Sequence, residues 1–97
     1  MRHEIIVSPE AHEDLAALDA NNRSAILAAL ETHLRHEPAK ESKSRIKRMR
    51  GLKWPEYRLR VDEFRVYYNV SGTEVHLLGV IYKPLTYAWL EQHSIPQ

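Results

Sequence analysis

Between Tyr57 and Val70 the chain alternates apolar and polar residues, and only Asp62-Glu63 interrupts the pattern. A period of two marks a half-buried strand, because successive side chains point to opposite faces. Tyr57, Leu59 and Val61 share one face, and Arg58 and Arg60 the other. Past the interruption, Phe64, Val66, Tyr68 and Val70 fall on one face, and Arg65, Tyr67 and Asn69 on the other. The pattern predicts a β-hairpin closed by a two-residue turn at Asp62-Glu63. In that register Val61 faces Phe64, Arg60 faces Arg65, Leu59 faces Val66 and Arg58 faces Tyr67. The apolar side is the core side, which leaves three arginines and a tyrosine on an open face. Like charges directly opposite each other destabilise a sheet. A charged edge that only discourages aggregation needs one arginine per strand, not arginines stacked across from each other. Arginine's planar fork matches two phosphate oxygens, and tyrosine stacks on a base or donates its hydroxyl, so the face reads as a phosphate site. On such a face, removing the Arg65 side chain should leave no cavity.

The rest of the chain supplies what must cover the apolar side. Residues 3–8 read as a short strand. Ser8 offers a capping hydroxyl, Pro9 suits the first helical position, and Glu10 and Glu13 suit the positive end of a helix. Ala11, Leu15 and Leu18 recur at helical spacing, so a first helix is expected to reach about Asp19. Asn21-Asn22 reads as a break and a second cap. From Arg23, the residues Ile26, Leu27, Leu30 and Leu34 form another apolar stripe that Pro38 ends. Residues 39–53 read as a basic loop with a short strand near Ile46–Arg50. Ser71-Gly72-Thr73 turns the chain into Val75–Tyr82, a nearly continuous apolar run typical of a central strand. Pro84 opens a short last helix over Leu85–Glu91. The expected fold is α+β: an N-terminal strand and helical hairpin on a small, mostly antiparallel sheet, with a short C-terminal helix, all in one domain of 97 residues.

Charge is unevenly spread. Residues 1–37 hold three basic side chains against seven acidic, residues 38–60 hold nine against two, and residues 61–97 hold two against four. The middle block, net +7, adds Arg45, Lys47, Arg48, Arg50 and Lys53 to the hairpin arginines and points to phosphates or an acidic partner. The chain has no cysteine, which excludes a disulfide framework, a thiol nucleophile and a cysteine-rich zinc site. With three glycines it has no glycine-rich phosphate loop. His33 and His36 fall at a helix C-terminus, where imidazolium suits the dipole, and no metal or other cofactor is expected. No apolar run spans a membrane, and Met1–Glu4 lead into only three apolar residues, so a cytoplasmic location is the expectation.

Met49-Arg50-Gly51-Leu52, Tyr57-Arg58-Leu59-Arg60-Val61, Phe64-Arg65-Val66-Tyr67-Tyr68, Val80-Ile81-Tyr82-Lys83 and Tyr87 together resemble the bacterial RelE/ParE toxin superfamily, across essentially the whole chain. The resemblance implies a toxin of a type II toxin–antitoxin system, neutralised in a hetero-oligomer by a cognate antitoxin. In the RelE branch it implies a metal-independent endoribonuclease that cuts messenger RNA on the ribosome. There the ribose 2′-hydroxyl attacks the adjacent phosphate, giving a cyclic phosphate and a free 5′-hydroxyl. Arg58, Arg60, Arg65, Lys83 and Tyr87 would then be catalytic. Arg45, Lys47, Arg48, Arg50, Lys53 and Tyr67 would bind RNA. One branch places a glutamate before the leucine-basic-glycine motif; Lys47 or Arg48 stands there instead, and no general base is evident. Two alternatives share these features: a ParE-like inhibitor that binds DNA gyrase without catalysis, and a non-catalytic nucleic-acid-binding module.

Overall fold

The computed structural model describes residues 2–97, so Met1 lies outside the described residues. Strand β1 (Glu4–Val7) leads directly into helix α1 (Pro9–Ala16), whose start is fixed by the Ser8 hydroxyl accepting from the Ala11 N–H at 3.1 Å. Helix α1 stops short of Asp19, because Asp19 is itself the cap of α2 (Ala20–Leu34). Its carboxylate accepts from the Asn22 N–H at 2.8 Å, so Asn21 and Asn22 lie in the first turn of α2 rather than in a break before it. Arg23 closes the other side of the joint: its guanidinium donates to the carbonyls of Leu15, Ala16 and Leu18. The α1 carbonyls that a helix end leaves unpaired are thus satisfied by a side chain from the next helix.

Five strands form the main sheet in the order β1-β6-β5-β4-β2, with β2 at Ile46–Arg48, β4 at Tyr57–Val61, β5 at Phe64–Ser71 and β6 at Glu74–Tyr82. Only the β1–β6 pair is parallel. The β4–β5 hairpin has the register that alternation predicts: Val61 opposite Phe64, Arg60 opposite Arg65, Leu59 opposite Val66 and Arg58 opposite Tyr67. Asp62 turns the chain at a φ of 52°, a left-handed conformation that aspartate tolerates. Leu59, Val61, Val66 and Tyr68 point to the same side and are buried beneath α1 and α2 with Ile26, Leu30 and Leu34.

Strand β6 keeps its core side only through an irregularity. Tyr67 pairs with Gly79 but Tyr68 with Leu77, so Leu78 is an extra residue. The bulge lets Leu77 and Val80, three apart in sequence, both join the core. Beyond Val7 the first strand leaves β6, and Asp14 of α1 takes over the exposed edge by accepting from the Val80 N–H at 2.9 Å. The basic segment holds two strands rather than the one expected, because Gly51 turns left-handed (φ 77°) between β2 and β3 (Leu52–Trp54). The second, β3, pairs with a two-residue strand β7 (Ile95–Pro96) that follows the last helix, α3 (Thr86–His93). No helix is long and apolar enough to cross a membrane among the described residues.

Tyr68 ties the hairpin to the chain leaving α2: its hydroxyl donates to the Pro38 carbonyl at 2.6 Å, and its ring stacks on Tyr57. Burial, with Tyr57 beside it, pushes the Tyr68 phenol far above the ordinary tyrosine range. The unfolded chain then ionises first, so the stability this group contributes is present below about pH 10 and is lost as pH rises further. We expect the denaturant midpoint to fall above that pH and Tyr68→Phe to weaken the fall. At neutral pH the substitution should cost roughly 1–3 kcal/mol, because the Pro38 carbonyl loses its donor.

Candidate functional site

The side of the sheet away from α1 and α2 carries two rows of residues across three strands. Arg65, Arg60 and Arg45 make one row: Arg65 lies opposite Arg60, whose N–H donates to the Arg45 carbonyl at 2.9 Å. Tyr67, Arg58 and Lys47 make the other. Neighbouring strands stand about 4.8 Å apart and the rows are about 6.7 Å apart, two residues along each strand. None of these five cations has a carboxylate within ion-pair distance among the described residues. The array is therefore a concentrated positive field with no direct ion pair of its own. A shallow cavity of about 260 Å³ at its β2 end is lined by Ser44, Arg45, Arg60 and Asp62.

The face is not open in the way alternation implies. Arg65 is only 8% exposed, and its guanidinium folds back to donate to the carbonyls of Asp62 and Phe64, each at 3.0 Å. Burial, then Arg58 and Arg60, hold its pKa below the ordinary arginine value. Tyr67 is 2% exposed, because the Trp89 ring of α3 lies parallel to it at 4.8 Å. Gly79, opposite Tyr67, makes that approach possible: a Cβ there would stand 3.0 Å from the Trp89 ring. Trp54 and His93 stack on Trp89 as well. Burial raises the Tyr67 pKa, while Arg58, the neighbouring Thr86 hydroxyl and Arg65 pull it down by less. The phenol therefore stays protonated at neutral pH. Arg58 Nε is buried and has no acceptor among the described residues. A charged donor held there without a partner is suited to an incoming anion.

The remaining predicted residues scatter around the array. Lys83, exposed, opens a 3-10 turn (Lys83–Leu85), and its N–H donates to the Glu63 carbonyl beside the hairpin turn. Tyr87, on α3, is 88% exposed. Arg48 lies off the array: it donates to the Glu56 carbonyl at 2.7 Å and sits over the Tyr57 ring. Arg50 pairs with Glu41, and Lys53 belongs to the smaller sheet. Sequence reasoning missed Thr86 and the placement of Trp89. The one available signal was Gly79, a glycine inside an apolar strand, which marks a close approach. Among the described residues no group of three or more His, Asp or Glu side chains is placed to hold a metal ion.

A family model for the ParE toxin of type II toxin–antitoxin system, parDE, matches residues 5–83. No curated protein matches the chain. Among solved structures, a chain of the RelB–RelE antitoxin–toxin complex from Methanococcus jannaschii is similar over 87% of this chain and 96% of its own, at 20% identity and a TM-score of 0.68. A chain of the toxin–antitoxin complex RelBE2 from Mycobacterium tuberculosis is similar over 84% and 99%, at 21% identity and a TM-score of 0.66. The YoeB dimer from Staphylococcus aureus is similar over 84% and 98%, at 20% identity and a TM-score of 0.60. At these identities the structures show a shared fold.

Two substitutions test the geometry. Arg65→Ala should destabilise the protein by roughly 1–3 kcal/mol, since it removes both hydrogen bonds at the turn and empties a buried site. An unchanged denaturant midpoint would mean the guanidinium is not held there. Gly79→Ala should crowd the Trp89 ring and loosen its stack on Tyr67, changing the tryptophan emission in a Trp54→Phe background.

Proposed function

The chain belongs to the ParE toxin family of type II toxin–antitoxin systems, with a cognate antitoxin as its partner, and on that premise we propose that it arrests translation by cleaving messenger RNA on the ribosome. The observation that carries the reading is the array of five unpaired cations, with the Arg58 Nε donor left unmet at its centre. A phosphodiester undergoing attack gains negative charge on its non-bridging oxygens. Fixed guanidiniums stabilise that charge more than the ground state, which is what lowers the barrier.

In the proposed reaction the substrate supplies its own nucleophile. The ribose 2′-oxygen loses its proton and bonds to phosphorus, the bond from phosphorus to the 5′-oxygen breaks, and that oxygen takes up a proton. The products are a cyclic phosphate and a 5′-hydroxyl. Arg58, Arg60 and Arg65 hold the reacting phosphate. Arg45 and Lys47 continue the positive track towards the β2 edge and hold the next phosphates. Lys83, in the turn after β6, and Tyr87, exposed on α3, contact the ribose and a base.

A second reading, gyrase inhibition by binding alone, is favoured by one observation. Neither row of the array holds a carboxylate or imidazole, and Asp62 lines only the cavity at its β2 end, so no conventional base stands within the rows. The two readings separate in one experiment: the purified protein in a reconstituted translation system with cut mapping, beside a gyrase supercoiling assay. Cuts within the message are expected, and Arg60→Gln should slow them roughly 100-fold. An intact message with supercoiling inhibited would replace the nuclease by the gyrase reading. For RNA binding, Arg58→Gln or Arg60→Gln should each reduce the slope of log affinity against log salt by about 0.7, as expected for one lost phosphate contact to a single strand.

A further inference from the structure

The hairpin turn carries a carboxylate that the rows of the array lack. Asp62 follows Arg60 by two residues and lines, with Ser44, Arg45 and Arg60, the cavity of about 260 Å³ at the β2 end. Its backbone is engaged and its side chain is not. The Asp62 carbonyl accepts from the Arg65 guanidinium at 3.0 Å, while no cation stands within ion-pair distance of its carboxylate among the described residues. The turn itself does not call for an acid. At a φ of 52°, asparagine or glycine would serve as well.

An acid is also the residue type that a track built only for phosphates excludes, since it repels what Arg45 and Arg60 attract. A carboxylate beside a phosphate site is favoured where the bound strand presents a hydroxyl instead of an oxyanion. In RNA the hydroxyl beside each phosphate is the ribose 2′-hydroxyl of the sugar on its 3′-linked side. No neighbour competes for that proton. Arg60 keeps its own proton and accepts no other. Tyr67 is buried and protonated. Glu63, next in the turn, lines no part of the cavity. The charged groups around Asp62 are Arg45 before β2, Arg60 on β4, Arg65 on β5, Glu63 beside it and Lys83, whose N–H donates to the Glu63 carbonyl.

We propose that Asp62 is the catalytic base of the cleavage reaction: with a ribose seated in the Ser44–Arg45–Arg60 cavity, its carboxylate accepts the 2′-hydroxyl proton while Arg60 holds the adjoining phosphate. The 2′-oxygen bonds to phosphorus, the bond from phosphorus to the 5′-oxygen breaks, and that oxygen takes a proton from water. Asp62 then gives its proton back to solvent. Arg45 and Arg60 offset the repulsion between the carboxylate and the phosphate. The proposal rests on the nuclease reading and adds to it the group that the two rows do not supply.

The test uses the purified full chain in the reconstituted translation system, in single turnover, at the position where the unmutated protein cuts. Asp62→Asn keeps the backbone the turn needs and the carbonyl that Arg65 uses, so its denaturant midpoint should match the parent's. It should cut about 100-fold more slowly. Near neutral pH the parent's rate should be level, because a carboxylate base needs no hydroxide, whereas the variant's should rise about tenfold per pH unit. On ribosomes carrying a message with a 2′-deoxynucleotide at the cut, the variant should bind at least as tightly as the parent, since a repelling charge has gone. A 5′-thio leaving group, which departs without a proton, should leave the variant's deficit in place. Glu63→Gln, which removes the neighbouring acid, should cut at the parent's rate. An Asp62→Asn variant that cuts as fast as the parent, recovers on the 5′-thio message, or loses binding in proportion to rate would overturn the assignment and leave cleavage standing. So would a parent rate that itself rises about tenfold per pH unit, with no variant needed. Equal slowing by Glu63→Gln would overturn it in favour of the turn's net charge. A parent that cuts no message removes the nuclease reading and the proposal together.

Discussion

Leu59 opposite Val66 and Arg60 opposite Arg65 are one register seen from its two faces. The apolar side sets it. Leu59, Val66 and Tyr68 are fully buried, and each such side chain stabilises the fold by about 1.5–3 kcal/mol on burial. A like-charge pair across a sheet costs about 0.2–1 kcal/mol. Burial therefore wins easily, and a slip of one residue, which would exchange the faces, is excluded. The core that covers one side of the hairpin is what holds cations together on the other.

That array would be a loose set of long side chains if nothing else touched it. The C-terminal segment gives it shape. Trp89 lies on Tyr67 over the bare backbone of Gly79, and the charges of Arg58 and Arg65 act on the buried Tyr67 phenol. Arg65 is folded onto its own turn, so its charge is fixed in place and partly desolvated. A charge that is already oriented and poorly hydrated acts more strongly on an anion than a mobile one at the surface. Helix α3 itself buries no residue fully; it is held by this stack and by the short β3–β7 pair.

The molecule thus divides its surfaces by charge. The basic face is built on β2, β4 and β5, and the acidic residues gather on β1 and α1. A partner that neutralises a toxin of this design has two chemically distinct surfaces to engage, and its sequence should reflect both.

The sequence by itself determined the hairpin and its register, the Ser8 cap with Pro9 at the first helical position, the apolar stripes of the helices, and the grouping of Arg58, Arg60 and Arg65. Each is written in a local repeat or in a residue whose own chemistry fixes the backbone. It placed the joint between α1 and α2 wrongly, because Asp19 and Asn22 are both good caps and only the carbonyls captured by Arg23 decide between them. The parallel pairing of β1 with β6, the bulge at Leu78, the β3–β7 pair and the covering of Tyr67 and Arg65 were decided only by the tertiary structure. The strand pairings and the covering of Tyr67 join segments far apart in the chain, the bulge depends on how two strands meet, and only the fold-back of Arg65 onto its own turn is local. Such contacts leave no period in the sequence, since any apolar strand can pair with another and any aromatic ring can cover a flat face. Gly79 alone carried a trace of them, as the missing side chain on which Trp89 rests.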